Sequence, residues 1–94
     1  MQIRWTAEAV QDIKSVRSYI EKDKPKAAKQ VLPKIFSAAK TIALHPNIGR
    51  PGRSPHTREF IVAGTPFIIP YRVQKDVLEV LRVLHGSMEW PEKL

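Results

Sequence analysis

Between Arg58 and Leu84 the chain runs through three apolar segments, Arg58 to Val62, Phe67 to Val73 and Val77 to Leu84, separated only by Ala63-Gly64-Thr65-Pro66 and Gln74-Lys75-Asp76. Connections this short join antiparallel neighbours and cannot carry the crossover that a parallel pair needs. The second half is therefore expected to be a three-stranded antiparallel meander. Its alternation is imperfect. In the middle segment Phe67, Ile69, Tyr71 and Val73 share one face against Ile68, Pro70 and Arg72, and in the last Leu78, Val80 and Leu84 oppose Val77, Leu81 and Val83. Both faces are partly apolar, so one should pack on the rest of the chain and the other on a partner. Pro70 lacks a ladder donor and is expected at a bulge, or with its nitrogen turned away from a pair.

The first half reads as helical. Gln2 to Trp5 makes a short strand, and Thr6 is placed to cap a helix with Glu8 in its first turn, where the helix dipole favours an acid. Ala9, Ile13, Val16 and Ile20 recur at helical spacing. After Glu21-Lys22-Asp23-Lys24, Pro25 suits the first turn of a second helix, whose buried stripe is Ala28, Leu32, Ile35, Ala39 and Ile42. That helix stops before His45-Pro46, because the residue preceding a proline disfavours helical angles. Pro33 inside it predicts a kink near Lys29 to Pro33 rather than two separate helices. The expected architecture is α+β: an N-terminal short strand and a helical hairpin packed on the meander.

With 94 residues the chain has room for one core, and residues 1–94 read as a single domain without repeats or linkers. Lys and Arg number 16 against 9 Asp and Glu, a formal charge of +7, which predicts an acidic partner, nucleic acid or protein. With no cysteine there is no disulfide framework, thiolate chemistry or Cys-ligated zinc, which fits a reducing cytoplasm. His45, His56 and His85 share no ligand spacing, so no metal and no cofactor is expected. No apolar run reaches the roughly 18 to 20 residues of a membrane span, and the N-terminus lacks a signal-peptide core, so a soluble cytoplasmic protein is expected. Arg50, Arg53, His56 and Arg58 crowd a loop punctuated by Gly49, Pro51, Gly52 and Pro55. Such a loop beside a sheet suits an acidic or anionic surface.

The order of elements and several local motifs together resemble the RelE/ParE superfamily of bacterial type II toxin–antitoxin modules. The motifs are Trp5-Thr6, Leu44-His45-Pro46 with Gly49-Arg50-Pro51-Gly52, Thr57-Arg58-Glu59-Phe60, Gly64-Thr65-Pro66-Phe67, Tyr71-Arg72-Val73, and Arg82-Val83-Leu84-His85-Gly86 with Trp90. The resemblance implies a compact toxin neutralised by an antitoxin that wraps its helices and sheet. It also implies a target in either translation or DNA topology. RelE-like members cleave messenger RNA on the ribosome through a ribose 2′-hydroxyl, which calls for a base, cations for the phosphorane charge and an acid for the leaving oxygen. They place basic groups along the meander strands and just after the last one. The matching positions here hold Glu59, Ile61 and Ile68, and Gly86-Ser87-Met88-Glu89 is poor in cations. ParE-like members inhibit DNA gyrase without an acid–base set and often end the last strand in Leu-His, as Leu84-His85 does. The ParE-like reading is favoured, with a ribosome-dependent endoribonuclease as the alternative and a module that has lost toxicity as a third.

Under the ribonuclease reading the catalytic candidates are His85, a residue type that gains and loses a proton near neutrality, with Arg58, Arg72 and Arg82. Arg72 and Arg82 are expected inside adjacent strands on one side, either as a cationic patch or paired with Glu59 and Glu79. For binding the target or an acidic antitoxin the candidates are Arg50, Arg53, His56, Arg58 and Trp90. Trp90 is expected either to anchor the C-terminal tail to the sheet or to engage the target. Tyr71 and Trp5 are expected in the core. The antitoxin is expected on the hairpin and on the second sheet face, through an amphipathic acidic segment.

Overall fold

The computed structural model describes residues 1–23, 25–92 and 94; for residues 19–23, 25, 27 and 28 it describes the backbone alone. The elements in chain order are β1 (Gln2–Trp5), α1 (Ala7–Asp23), α2 (Pro25–Leu44), β2 (Arg50–Pro51), β3 (Arg58–Ile61), β4 (Phe67–Gln74), β5 (Val77–Val80) and β6 (Leu84–His85). The meander pairs as its turns require: β3 antiparallel to β4 with Phe60 opposite Ile69, and β4 antiparallel to β5 with Tyr71 opposite Val80. Two edges extend it into a mixed sheet of order β1-β5-β4-β3-β2. β1 runs parallel to β5 with Trp5 opposite Val80, and the helical hairpin together with β2, β3 and β4 makes up their long connection. β2, two residues inside the basic loop, pairs with β3.

The α+β architecture expected from the sequence is the one observed. Thr6 caps α1: its Oγ1 accepts the Ala9 N–H at 3.1 Å while donating to the Leu81 carbonyl at 2.7 Å, so one hydroxyl ties the helix start to the far side of β5. Helix α2 runs unbroken through Pro33. Ala9 and Val16 of α1 and Ile35, Ala38, Ala39 and Ile42 of α2 pack on Phe67, Ile69, Tyr71, Leu78, Val80 and Val83, with Ile13 and Leu32 partly buried at the margin. The remaining expected stripe positions, Ile20 and Ala28, lie outside the described side chains. Among the described residues no helix is long and apolar enough to cross a membrane.

The last segment departs from expectation. Val77 to Leu84 is two strands, because the chain bulges at Leu81-Arg82-Val83. Tyr71 faces Val80 and Ile68 faces Leu84, so three residues on one strand span two, Ile69 and Pro70, on the other. The Leu81 N–H bonds the Pro70 carbonyl at 2.9 Å and the Arg82 N–H approaches the same oxygen at 3.5 Å. Pro70 thus sits beside a bulge, where its missing donor breaks no pair. One added residue also reverses the side-chain parity downstream. Val83 enters the core in place of Leu84, and Leu84 turns to the opposite face with Ile68. Arg82 accordingly lies outside any strand.

Candidate functional site: the basic loop and the outer sheet face

The basic loop is pinned to the core by Tyr71. This fully buried residue donates its hydroxyl proton to the Pro46 carbonyl at 2.7 Å and accepts the Gly49 N–H at 2.9 Å. Burial pushes its phenol pKa up, against the lowering effects of the Gly49 N–H and the nearby Arg58 guanidinium. Gly49 has no alternative residue at this approach, since a Cβ would stand 2.7 Å from the Tyr71 ring and hydroxyl. Arg58, opposite Tyr71, donates to the Gly49 carbonyl at 2.7 Å and reaches toward that of Asn47 at 3.4 Å. The loop then doubles back: Gly52 N–H bonds the Thr57 carbonyl at 2.8 Å, and Thr57 Oγ1 bonds the Ser54 carbonyl at 2.6 Å. His56 takes a left-handed φ of 62° at the tip.

On the sheet face away from the helices stands Glu59, 3% exposed. A carboxylate this buried needs partners. It has two: the Arg53 backbone N–H at 2.9 Å and the Arg50 guanidinium at 3.3 Å, the latter from the residue opposite it in β2. The Arg53 side chain leaves this carboxylate and lies over the Trp90 ring, 3.9 Å from its centroid. Four of the five expected binding residues, Arg50, Arg53, Arg58 and Trp90, are thereby gathered around one loop, with His56 at its exposed tip. Trp90 thus meets the basic loop through the Arg53 guanidinium. This outer face, expected to await a partner, is covered in part by the chain's own loop and tail.

The four ribonuclease candidates are not assembled in one place. Arg58 shares the helix-side face with Tyr71, whereas Arg72, the next residue along β4, points to the outer face. There Arg72 Nε donates to Glu79 at 2.6 Å, and Glu79 also meets Arg4 of β1 at 3.4 Å, so the alternative of pairing across the sheet is realised. Glu59 is taken by Arg50 instead. Arg82, moved off the strand by the bulge, donates twice to Asp12 of α1, at 2.7 and 2.9 Å, and Asp12 also accepts the Val83 N–H at 2.9 Å. The Asp12 carboxylate holds the Arg82 guanidinium pKa above its ordinary value, outweighing partial burial. Arg72 and Arg82 line one cleft of about 330 Å³ with Thr6, Glu8, Glu79, Leu81 and Leu94, but each carries its own carboxylate there. The expected cationic patch is a balanced set of ion pairs. His85 stands at the end of β6, edge-on to Phe67 with ring centroids 5.5 Å apart. Its Nδ1 accepts the Ser87 N–H at 3.1 Å, which places the proton of the neutral ring on Nε2.

Asp12, the clamp of the bulge, was not singled out by its sequence context, because its partner is 70 residues away. The burial of Glu59, which stands between Arg58 and Phe60, had no sequence signal beyond its place in the first meander strand.

A small basic α+β domain of this topology, with a strand and helical hairpin ahead of an antiparallel meander, has the form of the RelE/ParE superfamily toxins. The sequence from residue 3 to residue 90 matches the family described as the ParE toxin of the type II toxin–antitoxin system, parDE. The chain belongs to that family and is a type II toxin of ParE type. Similar proteins include Y4kP of Sinorhizobium fredii, named as a candidate toxin, 45% identical over 99% of this chain and 96% of its own length. Toxin RelE2 of Caulobacter vibrioides is 30% identical over 92% of this chain and 96% of its own. Among solved structures, a chromosomal ParDE toxin–antitoxin system from P. aeruginosa superposes with a TM-score of 0.83 at 23% identity, over 93% of this chain and 97% of that one, which is a likeness of fold.

Proposed function

We propose that this toxin arrests growth by binding DNA gyrase, as an inhibitor that works by contact, and that a cognate acidic antitoxin neutralises it. The observation that carries this reading is the engagement of all three candidate arginines and of one ring nitrogen of His85. Arg82 is held by Asp12, Arg72 by Glu79, Arg58 by loop carbonyls, and the His85 Nδ1 by the Ser87 N–H. In-line cleavage needs a base and an acid on either side of a phosphate with cations between them; these side chains are committed to structure instead. A protein that acts by contact needs a shaped, charged surface, which the pinned basic loop supplies. Antitoxin binding is supported by a hairpin that exposes Val10 and Phe36, at 43% and 44%, beside four exposed lysines of α2.

The second reading, a ribosome-dependent endoribonuclease, is favoured by His85 alone, whose Nε2 is without a partner among the described residues and so is free to contact a substrate. The deciding experiment assays the purified toxin for inhibition of gyrase supercoiling and for cleavage of messenger on programmed ribosomes, each with His85→Ala alongside. Loss of supercoiling with intact messenger, unchanged in the variant, is the expected result. Messenger cleavage that vanishes in the variant overturns the proposal.

A further inference from the structure

The outer sheet face has no helix over it, yet Pro70, opposite Glu59, is less than 2% exposed, and Leu81 and Leu84 are each 8% exposed while lying outside the contiguous core. The chain's own C-terminal tail and basic loop reach this face: Leu94 lines a cleft with Leu81, and Arg50 and the Arg53 N–H meet Glu59. The tail leaves β6 through a bonded root: Gly86 N–H to the Pro66 carbonyl at 2.8 Å, Ser87 N–H to His85 Nδ1 and Met88 N–H to the His85 carbonyl at 3.1 Å. It then crosses to Trp90, which lies against Arg53, and ends with Leu94 in the cleft beside Leu81, Arg72 and Glu79. Beyond Met88 no hydrogen bond or ion pair ties the tail to the body among the described residues. The Trp90 Nε1–H is buried without a partner, and the Arg53 guanidinium has the ring as its contact. The tail is thus held by one cation–π stack and apolar contact, far fewer bonds than hold the sheet it lies on.

We propose that the C-terminal tail is a strap that, through the Trp90–Arg53 stack, holds the basic loop closed over the outer sheet face and opens as a unit independently of the sheet. The coupling runs through Arg53 itself: its side chain meets the strap while its backbone N–H bonds the buried Glu59 carboxylate. Lifting Trp90 releases the Arg53 guanidinium, loosens the amide that caps Glu59, and uncovers Pro70 and Leu84. The opened surface is basic at its rim and apolar at its centre. Segments with few buried bonds open with a smaller free energy than the core on which they lie.

The test is amide hydrogen exchange on the full chain, followed by NMR, in the wild type, Trp90→Ala, Trp90→Phe and Met88→Ala, a control at a tail residue that is 65% exposed. In Trp90→Ala the Arg53 amide is expected to exchange about tenfold faster, the equilibrium factor carried by a contact of this kind. The amides of β4 and β5 keep their rates, Trp90→Phe retains most of the protection, and Met88→Ala changes neither. The reciprocal variant Arg53→Gln is expected to speed exchange of the Trp90 indole N–H while leaving the sheet as it was. An unchanged Arg53 amide in Trp90→Ala overturns the proposal. So does acceleration of Arg53 and the sheet by the same factor, or failure of that variant to fold, since either makes the tail part of the cooperative core.

Discussion

Tyr71 carries more of this structure than its burial alone conveys, because one hydroxyl satisfies two backbone groups of the segment that leads into the basic loop. Phenylalanine would keep the ring and orphan the Gly49 N–H and the Pro46 carbonyl. Tyr71→Phe is therefore expected to cost about 1–3 kcal/mol, measured as a lowered urea midpoint. The same residue sets a pH dependence. Its folded pKa is raised above the ordinary tyrosine value by burial, so the native state favours the neutral phenol. The stability this contributes is complete below the unfolded value near 10 and is lost as pH rises from there through the folded value. Urea titrations at pH 8 to 11 should show the wild type losing more stability above pH 10 than Tyr71→Phe does. Parallel curves would remove Tyr71 as the source. Gly49 makes the complementary case: a methyl there meets a ring locked by two bonds and the Glu59 carbonyl at 3.0 Å. Gly49→Ala should cost about 1–3 kcal/mol in the same assay.

At the scale of elements, the bulge between β5 and β6 decides what the end of the sheet looks like, and Asp12 decides the bulge. Its carboxylate accepts both guanidinium bonds from Arg82 and the Val83 N–H that the bulge has removed from the ladder. Asp12→Ala leaves a partly buried cation and a backbone donor without partners, and should lower the unfolding free energy by about 2–4 kcal/mol. Asp12→Asn, which keeps an acceptor for Val83, should lose less, and circular dichroism melts of the two rank them. The sequence carried the elements well, because each has a local cause: Thr6 at a cap, Pro25 in a first turn, short turns at Gly64 and Lys75. It did not carry the bulge's consequence. Pro70 marked the place, but one extra residue leaves no compositional trace and still exchanges Leu84 for Val83 in the core. The parallel β1–β5 pair and the Asp12–Arg82 clamp were hidden for a related reason, since both join the ends of the chain. In the loop, the basic residues were legible as a group, while their division of labour depended on Glu59 being buried, which is a property of the assembled sheet.

For the whole molecule the positive charge is unevenly distributed, and the ion pairs show where. Asp12, Glu59 and Glu79 are consumed by Arg82, Arg50, Arg72 and Arg4 on the sheet side. Helix α2 carries Lys26, Lys29, Lys34 and Lys40, all exposed, and not one acidic residue. Much of the unbalanced part of the +7 charge therefore projects from the hairpin, where the acidic antitoxin is proposed to dock. Fields of this kind act on encounter more than on the final contacts, and salt screens them over about 10 Å at 0.1 M. The association rate constant with the antitoxin, measured by stopped flow, should fall at least tenfold between about 20 mM and 500 mM salt, with little change in dissociation. Replacing Lys29 and Lys40 together by Glu should slow association at low salt and flatten its salt dependence. Phe36→Ala on the same helix should instead speed dissociation, because it removes a contact made only after the partners have met. If the lysine pair leaves the salt dependence untouched while Arg50→Gln or Arg53→Gln abolishes it, the steering field lies over the basic loop and the antitoxin approaches from the sheet side.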